Sequence, residues 1–153
     1  MFVLVVGAGR VGSSVATTAL RAGHTVSVLD EDPLSHERLD VELGQAWEAA
    51  GGRFTIGTAL EMEALEEAGI GGADVFIAST NGDNTNLVVS QIARRRFDVP
   101  RVIARVLDPR RAAWYAEQGL QTVCPTAIAI DQLERAALGE AEPAVGRAGE
   151  EGA

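Results

Sequence analysis

The strongest constraint on this chain is a run of five apolar residues, Phe2-Val3-Leu4-Val5-Val6, that passes without a spacer into Gly7-Ala8-Gly9-Arg10-Val11-Gly12. An unbroken apolar run suits a central parallel strand covered by helices on both faces. Each glycine then has its own task. Gly7 lets the chain reverse after the strand, Gly9 lets backbone approach a pyrophosphate, and Gly12 lets the following helix lie close to the sheet. That helix would aim its dipole and unpaired N–H groups at the phosphates. It is expected over Arg10 to Ala22, stopped by Gly23, with Val11, Val15, Ala19 and Leu20 turned to the sheet. A second strand, Thr25 to Leu29, ends on Asp30, 18 residues beyond Gly12. A carboxylate there accepts hydrogen bonds from ribose hydroxyls and repels a 2′-phosphate; the bland role for Asp30 is a strand-end turn. Glu31 follows it on the same rim.

The remainder alternates strand and helix. A helix over Ser35 to Ala50, capped by Ser35 and closed by Gly51-Gly52, has Leu39, Leu43, Ala46 and Trp47 as its apolar side. Strands follow at Arg53 to Ile56, Asp74 to Ala78, Arg101 to Val106 and Gln121 to Cys124. Helices are expected over Leu60 to Ala68, Asp83 to Arg96, Asp108-Pro109 to Gln118, and Pro125 to Leu138. Six such alternations with short loops define an α/β, Rossmann-like, doubly wound sheet of order 3-2-1-4-5-6, which binds ligands at the carboxyl ends of its strands. Residues 1–138 therefore read as one nucleotide-binding domain. Residues 139–153, mostly Gly, Ala, Glu and Pro, read as a flexible acidic tail or linker.

Composition excludes several classes. The formal charge is −9 and all 13 basic side chains are Arg, which argues against sequence-independent nucleic-acid binding. The one cysteine, Cys124, allows no intrachain disulfide and fits a reducing compartment. No apolar run is long enough for a membrane span, and the first strand leaves no room for a signal peptide, so a cytoplasmic chain is expected. His24 and His36 belong to no cluster of metal ligands, and no metal is expected.

Beyond the glycine turn and Asp30, the chain carries Gly57-Thr58-Ala59 before Leu65 and Ala68-Gly69-Ile70, then Ala73 to Thr80, Asp83, Asn86, and Ile103-Ala104-Arg105-Val106 with Asp108-Pro109. With these pieces, residues 1–138 resemble the N-terminal domain of the regulator of potassium conductance family, of the Trk/Ktr type. The resemblance implies a cytosolic regulatory domain, peripheral to the membrane, that binds NAD(H) or ATP/ADP and controls a membrane-embedded potassium channel or transporter. It implies that Gly7, Ala8, Gly9, Arg10, Val11 and Gly12 hold phosphates, and Asp30 with Glu31 the ribose. Gly57, Thr58 and Ala59 would lie beside the adenine. Ser79, Thr80, Asn81 and Asn86 would line the far side, and Arg105 would approach the distal phosphate or nicotinamide end. In ATP-responsive relatives the arginine of the glycine turn reaches the terminal phosphate across a dimer interface, so a homodimer or larger homo-oligomer is implied.

Three departures stand out. Thr58 replaces an acid or amide, Thr126 follows Pro125 where relatives often have a glutamate, and residues 139–153 stand where a linker to the family's smaller C-terminal lobe would be expected to start. For several residues two roles stay open. Arg10 is a phosphate ligand or a solvated helix-end residue. Ser79 to Asn81 contact ligand or form a loop in which Asn81 or Asp83 caps the next helix. Arg105 pairs with a phosphate, with Asp108 or with a neighbouring acid. The last helix lacks a simple apolar stripe: Ile128, Ile130, Leu133 and Leu138 are spread widely enough to meet both the chain's own sheet and a partner. Its leading function is a nucleotide-sensing module without catalysis; the rival is the cofactor half of an NAD-dependent oxidoreductase.

Overall fold

A computed structural model describes residues 1–139 of the chain. The expected tail lies outside these residues, apart from Gly139, which ends the last helix in the left-handed conformation (φ 72°). The elements in order are β1 (Phe2–Val6), α1 (Arg10–Arg21), β2 (Thr25–Asp30), α2 (Ser35–Leu43), β3 (Arg53–Ile56), α3 (Met62–Glu67), a 3₁₀ turn (Ile70–Gly72), β4 (Val75–Ala78), α4 (Asp83–Arg95), β5 (Arg101–Arg105), α5 (Pro109–Glu117), β6 (Gln121–Val123) and α6 (Pro125–Leu138). All strands pair in parallel in the order β3-β2-β1-β4-β5-β6, as the alternation predicts.

β1 sits at the centre, with Val3 in register between Val26 and Val75. Its alternate residues feed two separate cores. Val3 and Val5 join Val26, Val28, Ala16, Leu39, Leu43 and Trp47 under α1 and α2. Leu4 and Val6 join Leu29, Phe76 and Ala104 against Leu65, Ile70, Leu87 and Val89 on the opposite face. Each large apolar side chain buried this way contributes about 1.5–3 kcal/mol.

The close seating of α1 overturns one expectation. Val11 and Val15 do not face the sheet; they are 45% and 37% exposed, and the buried residues of α1 are Gly12, Ser13, Ala16 and Thr17. A Cβ on Gly12 would lie 1.8 Å from the Gly7 carbonyl oxygen. At that approach only the smallest side chains fit between helix and sheet, and the valines are left on the flanks.

Other helix ends also move. α2 stops at Leu43, where Gly44 turns left-handed (φ 79°), not at Gly51-Gly52. Trp47 is buried nonetheless, from a turn over residues 47–51, with its indole Nε1–H donating to the Arg53 carbonyl (3.0 Å). Ser35 is no cap: it lies buried inside the helix, and Asp32 accepts from the Leu34 N–H (2.9 Å) instead. α3 begins at Met62 and leaves Leu60 exposed in the loop. Neither Asn81 nor Asp83 caps α4, whose N-cap is Gly82. The Asp83 carboxylate accepts from the N–H groups of Leu107 (2.7 Å) and Asp108 (3.0 Å), tying α4 to the β5–α5 loop. Asp108 does cap α5, accepting from the Arg110 and Arg111 N–H groups ahead of Pro109.

The two sides of the sheet are finished unequally. α1 and α2 cover β1 to β3, whereas Ile77 and Ile103 on the same face are only partly buried and Val123 on β6 is exposed. α6 has no buried residue, and Ile128, Ile130, Leu133 and Leu138 all stand open to solvent.

Candidate functional site

The carboxyl ends of β1, β2, β3 and β4 open into one cleft of about 850 Å³. It lies on both sides of β1, where the order of strands reverses, the usual ligand position in an open α/β sheet. Thirteen of the expected residues line it: Gly7, Gly9, Arg10, Val11, Asp30, Glu31, Gly57, Thr58, Ala59, Ser79, Thr80, Asn81 and Arg105. Ala8, Gly12 and Asn86 do not, and each works from behind instead.

Gly7 adopts φ 94°, and a Cβ there would sit 2.7 Å from the Thr80 nitrogen, so only glycine fits between the ends of β1 and β4. Gly9 is different. Nothing in the protein lies within 4 Å of where its Cβ would be. The space beside it belongs to the cleft, and Gly9 caps α1 with no side-chain hydrogen bond. The first-turn N–H groups of α1 therefore lack a capping side chain, the arrangement in which an anion serves as the cap.

The Ala8 peptide is held from both ends. Its N–H donates to Asp30 Oδ2 (2.6 Å), and its carbonyl accepts from Arg38 Nη1 (2.6 Å). Asp30 Oδ1 accepts from the Asp32 N–H (2.8 Å). Asp30 thus shapes the turn as well as lining the cleft, and each of its oxygens keeps a further lone pair. Ala8 contributes its backbone only, since its side chain is fully buried.

On the β4 side, the Ser79 hydroxyl is turned inward and donates to the Gly7 carbonyl (2.9 Å). Asn86, fully buried, accepts from the Thr80 N–H (3.0 Å) and hydroxyl (2.7 Å), and donates to the carbonyls of Thr80 (3.0 Å) and Arg105 (2.9 Å). This places Asn86 as the joint between the ends of β4 and β5, out of reach of a ligand. Arg105 Nη2 donates to the Thr80 carbonyl (2.7 Å) and approaches Asn81 Oδ1 (3.4 Å); Asp108 is not its partner. Its Nε is enclosed with no acceptor.

The cleft carries charge of both signs. Asp30, Glu31 and Asp32 line the β2 side, while Arg10, Arg38 and Arg105 supply the positive groups. Among the described residues no carboxylate lies within ion-pair distance of these three guanidinium groups. Arg38, Asp32, Ser35, Leu60, Gly82 and Thr85 also line the cleft and were not among the expected site residues. Arg38 is the consequential omission. In the sequence it stands out only as a basic residue where a capping box would need Glu or Gln, and its grip on Ala8 depends on how α2 folds back.

Comparison with known proteins agrees with this fold. The family model described as the TrkA-N domain matches residues 3–126. A Trk system potassium uptake protein TrkA of Streptomyces coelicolor is 40% identical over 138 residues, covering 90% of this chain and 59% of that protein. The chain therefore spans less than two thirds of that relative's length. Among solved structures, the Kef C-terminal domain of Shewanella denitrificans in its AMP-bound form superposes with a TM-score of 0.73 at 23% identity, over 91% of this chain and 80% of that one. GsuK bound to ADP gives 0.70 at 20% identity, over 88% of this chain and 33% of that one. At such identities these structures speak for the fold.

Proposed function

The chain belongs to the TrkA-N domain family, and from this we propose that it is a regulatory, non-catalytic, nucleotide-sensing module of a potassium transport system whose cleft takes an adenine nucleotide, NAD(H) or ATP/ADP. The observation that carries the reading is the open space at Gly9 beside an uncapped helix start, with three arginines that have no acid partner among the described residues. Phosphates of the ligand would rest against Gly7, Gly9 and the first turn of α1, with Arg10 and Arg105 as counter-charges. The adenosine ribose would meet Asp30 and Glu31, and the base would lie along Gly57, Thr58, Ala59 and the exposed Leu60. The AMP and ADP carried by the two structural neighbours support an adenine nucleotide as ligand.

A signal needs a second element whose arrangement depends on occupancy. α6 suits that role: an isolated helix of 14 residues with no buried side chain is marginal in water. It would gain its stability by packing on a second copy, against the thinly covered face at Ile77, Ile103 and Val123. Residues 1–138 would then act as the sensing unit of a homodimer or larger ring, with 139–153 as a linker. Arg10 of one copy would reach the terminal phosphate held by another, and a membrane-embedded potassium channel or transporter would read the resulting geometry. No helix among the described residues is long and apolar enough to cross a membrane, so the module would act on its partner from the aqueous side.

Calorimetry with AMP, ADP, ATP and NADH on the intact chain tests the site. Asp30→Ala is expected to weaken adenine-nucleotide binding at least tenfold while circular dichroism shows an intact fold. Unchanged affinity would sink the ribose assignment.

A further inference from the structure

α2 has two working edges. Ser35 and Arg38 turn to the nucleotide cleft, whereas His36 and Asp40, one helical turn apart, turn to the segment that follows the helix. Glu48 comes back from that segment, and its two carboxylate oxygens lie 2.7 and 2.8 Å from His36 Nε2. Asp40 Oδ2 lies 3.6 Å from His36 Nδ1. Nδ1 and Asp40 Oδ2 are spaced as two ligands of one ion, and one donor atom from each of the three residues can be chosen so that all lie within 4.8 Å of one another, so Glu48, exposed and here beside Nε2, would swing toward Nδ1 to bind the same ion. The geometry points to a binding site for a divalent transition-metal ion of the zinc class at His36, Asp40 and Glu48. Such a site corrects the expectation that His36 joins no group of potential ligands.

Three features favour a metal over a chance meeting of charges. The donor set combines one imidazole with two carboxylates, which suits zinc-like ions better than magnesium or calcium, whose sites are built from oxygen. When the ring is neutral the trio carries two negative charges, which a divalent cation cancels. Two of the ligands are already oriented from behind. The Trp47 N–H donates to Asp40 Oδ1 (2.7 Å), fixing that carboxylate with its other oxygen toward the ring. The His36 ring packs edge-on against Phe54, with centroids 5.2 Å apart. Outer contacts of this kind set ligand direction in known metal sites. Water completes the coordination on the exposed side, where Glu48 stands open to solvent.

A bound ion would fasten α2 to the turn that carries Trp47, and α2 is the helix from which Arg38 holds the Ala8 carbonyl. The proposal stands apart from the nucleotide reading, because its ligands do not line the cleft.

The test is a titration of the nucleotide-free chain with Zn²⁺ by calorimetry and with Co²⁺ by visible absorption. The expected result is one saturable site whose affinity falls at least tenfold in His36→Gln and in Glu48→Gln and is retained in His24→Gln and Cys124→Ser. Mg²⁺ should not compete. Glu48 is exposed, so its variant will fold even if the histidine variant does not. Absence of saturable binding, or unchanged affinity in Glu48→Gln, would overturn the site. Loss of binding in Cys124→Ser or His24→Gln would place the metal elsewhere and overturn it equally.

Discussion

The opening β1–α1–β2 unit and the closing β6–α6 unit draw on the same small set of aliphatic residues and end in opposite states. In the first, four of the five β1 residues are buried and α1 seats itself on Gly12, Ser13, Ala16 and Thr17. In the second, β6 has three residues and no buried one, and every apolar residue named on α6 remains open. The difference teaches where each part of the chain finds its stability. The first unit packs on itself and leaves its helix start without a capping side chain, at Gly9. The last unit has a whole helix face with no counterpart among the described residues.

The largest expected effect lies in the first unit. Gly12→Ala places a Cβ against the Gly7 carbonyl and the Ser79 hydroxyl, backbone and buried groups that cannot yield. A loss of about 3 kcal/mol in urea denaturation is expected. In the last unit, by contrast, Leu133→Ala should change monomer stability by no more than about 0.5 kcal/mol. A comparable loss from Leu133→Ala at monomeric concentrations would erase the contrast.

Next comes self-association. Replacing Ile130 and Leu133 together by Asp puts charge on the exposed face of α6. Sedimentation should show the proposed dimer weakened about a hundredfold, near 2.7 kcal/mol, with an unchanged circular dichroism spectrum. An unaltered assembly state would move the contact off α6.

A smaller effect separates two glycines of one turn. Gly9→Ala meets no protein atom, so stability should stay within about 0.5 kcal/mol while affinity for ADP falls about tenfold, near 1.4 kcal/mol. If stability fell as far as in Gly12→Ala, the empty space beside Gly9 would not be reserved for a ligand. The smallest effect concerns how helices begin. α5 starts under the Asp108 carboxylate, and Asp108→Ala should cost about 1 kcal/mol in thermal or urea melts. No equivalent side chain exists at the start of α1, which is where an anion would take its place.

Most of the architecture was legible because alternation of apolar runs and glycine stops is a local signal. Strand order, the glycine turn and the position of Asp30 follow from it. What was not legible depends on distance between elements. An apolar count turns Val11 and Val15 inward, yet the approach set by Gly12 leaves room only for small side chains. The stripe Gly12, Ser13, Ala16 and Thr17 carried that information, at the spacing of one helix face. α2 was read too long because Ala46 and Trp47 continue its apolar pattern, although Gly44 breaks the backbone before them. Arg38 and Asn86 escaped correct assignment for one reason. Their partners, Ala8, Thr80 and Arg105, are reached through backbone carbonyls and N–H groups, which no side-chain pattern records.

The Ala8 peptide, gripped by Asp30 at one end and Arg38 at the other, has a kinetic consequence. A bend already held before arrival would need little reordering of its own when a ligand enters, so capture would run at the pace of diffusion and orientation. Occupants that share an adenosine would be received alike at that bend. Telling them apart would then fall to their distal ends, near Arg10 and Arg105, where this chain's own walls give way to open space.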